Sequence, residues 1–329
     1  MSISEVLITA PARLHLGFLD LTDSGSRRFG SIGMAIDTIA TRVRVARCAE
    51  LIIEGHERAR AEKIAVELTG ELGIAPNFRI LVESAIPAHA GLGSGTQLDL
   101  AIAAALRSLT ADRPVTTQPG EWARRGRRSG IGIATFANGG FVTDGGHGGQ
   151  TVTPPVLSRL PFPSEWRVVL VFDDQYRGLN GDLERRAFAD LAPMASADSA
   201  TICRAVLMGV LPALAEPDFG AFCAALETVQ TLVGNYFAPF QNDAIFTSPR
   251  VARALEVAKG VAEISVVGQS SWGPTGFCFV SSASAAQHLV SVLEAQGNIE
   301  AGLRFLVCGA NNSGATIKAV QGAEQATSV

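Results

Sequence analysis

The sequence predicts an α+β protein built of two lobes, and three observations support this fold class. The chain has 329 residues, about twice the length of an average domain. Short segments rich in β-branched residues alternate with segments of helical periodicity along both halves. Between residues 150 and 163 the composition changes to Pro and Thr with little periodicity. We therefore predict two domains, residues 1–155 and residues 156–329.

In the first domain, the pattern predicts three strands and one long helix. The strands are the β-branched segments at residues 5–10, 41–46 and 78–82. Residues 96–110 form the helix, because apolar residues recur there at helical spacing among good helix formers. Two glycine clusters predict turns, at residues 30–33 and 139–149.

The second domain is predicted to contain more helices than the first. Strands are expected at residues 166–172, 263–267, 276–280 and 303–307. Helices are expected at residues 182–191, 201–214, 218–232, 249–259 and 285–294. The tail after residue 317 is polar, and we expect it to be frayed.

The composition excludes several classes of protein. Apolar residues make up 47% of the chain and charged residues 18%, which excludes a disordered protein. The mean hydropathy is positive, but apolar runs such as residues 102–106 and 168–172 are far shorter than a membrane span of about 18 residues. The net charge of −4 argues against nucleic acid as a partner. The basic cluster at residues 124–128 then fits a solvated helix face, with general attraction of an anionic substrate as the second interpretation.

The cysteines and the amino terminus indicate a cytoplasmic protein. The five cysteines are odd in number, widely spaced and without a CxxC pair, so we predict neither a disulfide framework nor a zinc site. Reduced cysteines are typical of a reducing compartment. Residues 1–16 carry Glu5 and Arg13 and lack the basic-then-apolar pattern of a signal peptide.

A glycine-rich loop, PAHAGLGSGTQ at residues 87–97, lies between a predicted strand and the predicted helix. Glycine lets backbone N–H groups approach a ligand, and the amino terminus of a helix attracts phosphate. No lysine follows the last glycine, so the loop is not a Walker A motif. The alternative is a plain strand-to-helix turn capped by Thr96. The predicted phosphate-binding residues are His89, Gly91, Gly93, Ser94, Gly95 and Thr96.

The hydroxyl groups of Ser94 and Thr96 can also ligate a magnesium ion that is already bound to phosphate. Mg²⁺ is therefore an expected cofactor, with Ser94 as the candidate ligand.

Three motifs resemble those of the GHMP kinase superfamily. The loop PAHAGLGSG is similar to the superfamily's P-x-x-x-G-L-G-S-S, and Pro11-Ala12-Arg13 to its opening P-G-K. The segment SGIG at residues 129–132, followed by six residues and GG, resembles S-G-I-D…G-G, whose Asp is a catalytic base. The resemblance implies a ribosomal-protein-S5-like amino-terminal lobe and a ferredoxin-like carboxy-terminal lobe. Gly132 cannot accept a proton, which disfavours a kinase, although homoserine kinases phosphorylate without that Asp.

Further segments point to one non-kinase branch of this superfamily. They are RLHLGFLD at residues 13–20 with residues 27–37, GGFVTDGG at 139–146 and GQSSWGPT at 268–275. Together with the loop they resemble the β-ribofuranosylaminobenzene 5′-phosphate synthases of tetrahydromethanopterin biosynthesis. The resemblance implies condensation of phosphoribosyl pyrophosphate with 4-aminobenzoate or 4-hydroxybenzoate, releasing CO₂ and pyrophosphate. It also implies a homodimer, while the chemistry itself requires no organic cofactor.

This reaction suggests roles for further residues. A carboxylate near a cation-like ribosyl centre would stabilise it, and a guanidinium would bind a phosphate or carboxylate. The candidate catalytic residues are Asp20, Asp144 and His15. The candidate substrate-binding residues are Arg27, Arg28, Gln269, Ser270, Ser271 and Trp272. Each has a plainer interpretation: a core histidine, turn aspartates, a solvated arginine pair, or a tryptophan wedged between the lobes.

Two other functions stay open at this point. One is an ATP-dependent small-molecule kinase, which turnover of ATP with a metabolite alcohol would reveal. The other is a metabolite sensor on the same fold, which would bind a ligand without turnover.

Overall fold

The computed structural model describes residues 3–23, 25–111, 129–176, 191–261, 265–295 and 302–321. Two regions singled out above, the basic cluster at 124–128 and all but the last residue of the helix expected at 182–191, lie outside these ranges. Within them the chain forms two sheets, each with helices packed against it.

The first sheet is built around a long antiparallel hairpin. Its strands are β1 (Ile3–Asp20), β2 (Arg27–Arg47), β3 (Ile52–Gly55), β4 (Phe78–Ser84), β5 (Phe141–Asp144), β6 (His147–Gly148), β7 (Val156–Leu160) and β12 (Thr316–Gln321). The main order is β12-β1-β2-β4-β3, with β5 and β6 paired to the early part of β2 and β7 paired to β5. Of the strand pairs in the described ranges, β3 and β4 alone run parallel, and a crossover helix joins them.

Among the described residues, three helices accompany the first sheet: α1 (Arg58–Leu72), α2 (Ser94–Ala111) and α3 (Ile131–Asn138). Helix α2 is buried along most of its length because it contacts the sheet, α1 and α3 at once. Its run of small and apolar residues suits this central position, since alanine packs closely without loss of side-chain entropy. The amino terminus of α2 is thereby fixed at the end of the glycine loop.

The second sheet is a four-stranded antiparallel layer. Its order is β11 (Leu303–Cys308), β8 (Arg167–Asp173), β10 (Gly276–Val280) and β9 (Val266–Gln269). Its helices are α4 (Ser196–Ala205), α5 (Leu211–Ala215), α6 (Phe219–Phe237), α7 (Pro249–Val261) and α8 (Ala283–Ala295). Helices α7 and α8 share a small core with the sheet, while α6 lies toward the β1–β2 hairpin.

One apolar core joins the two lobes. It contains Leu14 and Ile32 of the hairpin together with Leu170 and Phe277 of the second sheet, and Phe222 of α6 packs among them. All five side chains are fully buried. The two lobes are therefore fixed against each other at the middle of β1 and β2.

Several boundaries differ from those expected. β1 and β2 extend well beyond residues 5–10 and 41–46, because bulges near Arg13 and Gly17 let β1 continue through its glycine. The prediction that the tail after residue 317 is frayed is wrong as far as Gln321, because β12 pairs with β1 in that segment. Helix α2 begins at Ser94, so Thr96 lies inside its first turn and is not its cap.

One described segment, Ser196–Ala215, is long and apolar enough to cross a membrane, judged by length and composition alone. It consists of α4, a π-helical turn and α5. Its inward residues Ile202, Val206 and Val210 belong to the main core, and Ser199 Oγ donates to the carbonyl oxygen of Leu19 at 3.1 Å. Core helices pass the same test, so one such segment is weak evidence for a membrane span.

Candidate active site

The glycine loop runs from the end of β4 to the first residue of α2. His89, Gly91 and Gly93 have positive φ angles of 60°, 77° and 83°, so the backbone turns repeatedly before the helix begins. His89 is exposed on the loop, whereas Ser94, Gly95 and Thr96 are half-buried in the first turn of α2. The unpaired N–H groups and the positive dipole end of α2 are therefore presented at the loop.

Arg13 of β1 holds the loop in place through hydrogen bonds. Its backbone N–H donates to the carbonyl oxygen of Leu92 at 3.1 Å, and its Nη1 donates to that of Gly91 at 2.6 Å. A Cβ on Gly93 would stand 3.0 Å from Arg13 Cγ, so only glycine leaves space for this side chain. Arg13 occupies the place of the superfamily's opening lysine and brings a permanent positive charge to the loop.

Ser270 connects three of the segments that the sequence singled out. Its hydroxyl accepts a hydrogen bond from the backbone N–H of His15 at 3.1 Å and donates to the carbonyl oxygen of Gly91 at 2.8 Å. Next to it, Ser271 N–H donates to the carbonyl oxygen of His15 at 3.2 Å. Ser270 is fully buried. The structure thus brings β1, the glycine loop and the β9–β10 turn into direct contact.

A cleft opens beside this junction, between β1, α6 and the β9–β10 turn. Its inner part shares five lining residues with an outer part that reaches Glu227 and Lys259. The rings of Phe237 and Trp272 meet edge-on at 4.6 Å between centroids. The inner part is lined by His15, Gly17, Phe18, Gln230, Val233, Phe237, Gln269, Ser271 and Trp272.

Gln269 forms the wall of this cleft and uses its amide for hydrogen bonds within the protein. Its Nε2 donates to Gln241 Oε1 at 2.9 Å and to the carbonyl oxygen of Ser271 at 3.0 Å, while its Oε1 accepts from Thr247 N–H at 2.6 Å. These bonds fix the shape of the β9–β10 turn. A direct contact of the Gln269 amide with substrate remains a prediction.

Gln230 is a lining residue that sequence reasoning missed. From α6 it donates through Nε2 to the carbonyl oxygen of Leu16 at 2.6 Å and accepts from Gln269 N–H at 3.1 Å. The sequence did contain a signal for this residue. Gln230 is a polar residue within the apolar stripe of α6, four residues after Leu226 and three before Val233.

Asp144 is fully buried at the end of β5, and donors surround its carboxylate. Gly130 N–H donates to Oδ2 and Gly146 N–H to Oδ1, each at 2.9 Å, and the hydroxyl of Ser31 also donates to Oδ2. Burial raises the pKa of Asp144 above that of an ordinary aspartate, although these hydrogen bonds partly oppose the shift. The geometry assigns Asp144 to holding β5, β2 and the start of α3 together. Its catalytic role stays a prediction.

Asp20 lies at the far end of β1 from the glycine loop. It is seven residues from Arg13 on the same strand, a separation of about 20 Å. Its Oδ1 accepts from Thr22 N–H at 2.8 Å, which closes the turn after β1. Because of this distance, the structure does not bring Asp20 next to the loop.

The two arginines predicted to bind anions have different surroundings. Arg27 Nη2 donates to the carbonyl oxygen of Gly146 at 2.8 Å, so its guanidinium is engaged with the backbone. Arg28 is exposed and its Cζ lies 5.7 Å from the ring centroid of Phe29, which in turn contacts Phe18 of the cleft at 6.0 Å. Arg28 is therefore the better placed of the two for a ligand.

The donor set at the loop suits a magnesium ion that arrives with its ligand. No cluster of three or more His, Cys, Asp or Glu side chains suited to a metal occurs among the residues whose placement is described. Mg²⁺ commonly keeps several waters and takes substrate phosphate oxygens plus one or two protein ligands. The hydroxyl of Ser94 at the start of α2 is a ligand of the type that such a site uses, and Mg²⁺ stays a prediction.

Comparison with known folds supports this architecture. The family model described as the GHMP kinases N terminal domain matches residues 59–142. Homoserine kinase from Cytophaga hutchinsonii superposes with a TM-score of 0.67 at 16% identity, covering 96% of this chain and 98% of that one. Mevalonate diphosphate decarboxylase from Staphylococcus aureus gives 0.67 at 15% identity with the same coverage. The predicted α+β fold of the GHMP kinase type is confirmed.

Comparison of sequences identifies the branch. β-Ribofuranosylphenol 5′-phosphate synthase from Archaeoglobus fulgidus is 31% identical over 290 residues, which cover 84% of this chain and 88% of that protein. The enzyme of the same name from Methanothermobacter thermautotrophicus is 27% identical, with 95% of this chain and 98% of that protein covered. Because this identity extends over most of both chains, the chain belongs to the β-ribofuranosylphenol 5′-phosphate synthase family.

Proposed function

We propose that this protein transfers ribose 5-phosphate from phosphoribosyl pyrophosphate to the ring carbon of 4-hydroxybenzoate that bears the carboxylate, releasing CO₂ and pyrophosphate. The observation that carries the proposal is the hydrogen-bonded junction at Ser270, which holds a phosphate-type loop against an aromatic-lined cleft. The relatives are named for a phenol product, which favours 4-hydroxybenzoate over 4-aminobenzoate. A C-riboside of this kind belongs to tetrahydromethanopterin biosynthesis.

The loop side supplies the groups that a diphosphate needs. Backbone N–H groups of residues 91–95 and the dipole of α2 attract the negative charge that develops as pyrophosphate leaves. Arg13 adds a fixed cation on the floor of the loop. Ser94, with the diphosphate oxygens, would hold Mg²⁺, which neutralises the leaving group when bound.

The cleft side suits the ring of the acceptor. Its inner part is lined by the aromatic residues Phe18, Phe237 and Trp272. Among its lining residues, His15 has the side chain that most often serves as a general acid or base. We assign His15 to the proton of the para hydroxyl group, whose electrons activate the ring. Arg28 is assigned to the 5-phosphate or the carboxylate.

The bond changes follow from these two sides. The C1–oxygen bond to pyrophosphate breaks as the ring carbon attacks C1 from the opposite face, so the α donor gives a β product. The ring then loses its carboxyl group as CO₂, and the electron pair of that bond restores aromaticity. No organic cofactor enters this balance.

Release of labelled CO₂ tests the proposal. Carboxyl-labelled 4-hydroxybenzoate is incubated with the protein, phosphoribosyl pyrophosphate and Mg²⁺, with a control that lacks the donor. We expect donor-dependent release, faster with 4-hydroxybenzoate than with 4-aminobenzoate, and loss of release after chelation of Mg²⁺. If the folded protein releases CO₂ from neither acid, the proposal is overturned. The alternative of an ATP-dependent small-molecule kinase is then favoured.

A homodimer in the cytoplasm is the proposed state of the enzyme. The five cysteines, all described, are free, as expected in a reducing compartment. Light scattering on the eluted protein measures the mass of the assembly, and a monomeric mass of 34.4 kDa would contradict the dimer.

A further inference from the structure

Gly95 is the position where the loop departs from the superfamily motif, which carries a second serine there. Unlike Gly91 and Gly93, Gly95 does not have a positive φ. The backbone therefore does not require glycine at this position, and a glycine in the first turn of a helix even costs stability relative to alanine. The surroundings of Gly95, and not its backbone conformation, therefore distinguish this position.

The guanidinium of Arg60, on the first turn of α1, borders the space beside Gly95 at van der Waals distance. A Cβ on Gly95 would stand 3.4 Å from Arg60 Nη2, 3.6 Å from Cζ and 3.9 Å from Nη1. The three similar distances mean that the guanidinium lies broadside over the start of α2. A longer side chain at position 95 would push it away.

The remaining contacts of Arg60 leave it able to bind an anion. Its Nη1 is 3.3 Å from Glu57 Oε2 in a half-exposed ion pair, with 32% of the Arg60 side chain accessible. A pair of this kind contributes little stability and exchanges readily. Nη2 is the guanidinium atom nearest to Gly95, and no hydrogen bond among the described residues occupies it.

We propose that Arg60 is a pyrophosphate-binding residue that replaces the missing serine of the loop. Arg13 and Arg60 then flank the loop, each beside a glycine, with Arg13 next to Gly93 and Arg60 next to Gly95. The negative charge of a diphosphate is larger than the charge that one arginine can balance with the help of neutral N–H groups. A second planar guanidinium would bind a phosphate group through paired hydrogen bonds. This inference rests on the proposed function, because it takes pyrophosphate as the leaving group.

Calorimetric titration of inorganic pyrophosphate with Mg²⁺ tests the inference on the full chain. Arg60→Gln is expected to weaken pyrophosphate binding about tenfold or more, the usual effect of one lost charge-assisted hydrogen bond. Arg58→Gln is the matched control, because it removes an equal charge from the same helix turn. Arg58→Gln is expected to bind as the wild type does.

Glu57→Gln separates ligand binding from structure. It breaks the same ion pair as Arg60→Gln but keeps the guanidinium, so pyrophosphate should bind at least as tightly as to wild type. If Arg60→Gln binds like wild type, or if Glu57→Gln loses as much affinity as Arg60→Gln, the inference is overturned. Donor-dependent CO₂ release by the wild type, measured in parallel, tests the proposed function separately.

Discussion

Glycine serves two purposes in the phosphate loop. Gly91 and Gly93 have positive φ angles that L-amino acids rarely adopt, so a side chain there would strain the backbone. Gly95 instead gives room to Arg60. A substitution at Gly93 would consequently change the fold and the site together. Ser94, which has no such constraint, allows a cleaner test of the loop.

Ser94→Ala is expected to raise the KM for phosphoribosyl pyrophosphate about tenfold, because it removes one donor and the candidate Mg²⁺ ligand. The KM for the benzoate should change little, since the cleft does not include Ser94. Steady-state CO₂ release measures both constants. Ser291→Ala on the exposed face of α8 is the control. An unchanged donor KM would remove Ser94 from the site.

Asp144 is a buried carboxylate that holds its neighbours together through the hydrogen bonds it accepts. Asp144→Asn places an amide N–H₂ where backbone and hydroxyl donors converge. We expect the free energy of unfolding to fall by about 1–3 kcal/mol. Urea unfolding measures it, and turnover per folded molecule shows whether catalysis is affected beyond stability. Wild-type stability in this variant would contradict the structural role.

The raised pKa of Asp144 also predicts a pH dependence. The folded state holds the proton more tightly than the unfolded state, so the wild type loses stability as the pH rises through this pKa and gains it as the pH falls. Asp144→Asn has no such titration. The stability advantage of the wild type should therefore grow between neutral pH and the ordinary aspartate range near pH 4. A difference independent of pH would contradict the shift.

At the scale of elements, local patterns predicted where structure occurs better than where it ends. The helix expected at residues 96–110 and the strand at 276–280 match α2 and β10 closely, since periodicity and β-branched residues are local signals. β1 extends past Pro11 and through Gly17, residues that ordinarily end a strand, because pairing with β2 and two bulges carry it on. β12 escaped prediction because its residues are mostly exposed and its pairing with β1 comes from the far end of the chain.

Helices α2 and α3 meet at the position where many kinases of the superfamily carry their catalytic aspartate. A Cβ on Gly132 would stand 3.0 Å from Thr96 Cγ2, and Gln97 Nε2 donates to the carbonyl oxygen of Gly132 at 2.8 Å. The contact between the helices therefore depends on glycine. Restoring the aspartate alone would not recreate the kinase geometry.

Gly132→Asp is expected to lower the free energy of unfolding by about 1–3 kcal/mol, the usual cost of overpacking, and to give no ATP turnover. Adding Thr96→Ser removes the methyl group that causes the clash and should restore part of the loss. Thermal melting and an ATP hydrolysis assay measure the two effects. If Gly132→Asp melts like the wild type, the helix contact is looser than the distances indicate.

The sequence predicted the individual motifs of the protein, but it did not predict which of them come into contact in the folded chain. The glycine loop, His15 and the turn at residues 268–275 are far apart in sequence and come together because β1 runs beneath all of them. Asp20 and Arg27 belong to the same motifs but lie at the other end of the hairpin. Gln230 and Arg60 belong to no motif, and only the packing of their helices brings them to the site.

Ser270 makes two of the hydrogen bonds that join the two lobes at this site, so its loss should affect stability and catalysis together. Ser270→Ala leaves the buried N–H of His15 without its hydroxyl acceptor and releases one bond to the glycine loop. We expect a loss of about 1–3 kcal/mol in the free energy of unfolding. We also expect a higher KM for both substrates, because loop and cleft are no longer held in register. Urea unfolding and donor-dependent CO₂ release measure these changes.

The neighbouring Ser271→Ala provides the control for stability. Ser271 contributes its backbone to the junction, so its variant keeps the N–H bond to His15 and should unfold like the wild type. A local role of Ser270 in binding one substrate would raise one KM and leave stability unchanged. A junction that couples the lobes raises both constants and lowers stability in the same variant, because the Ser270 hydroxyl bonds both to β1 and to the glycine loop.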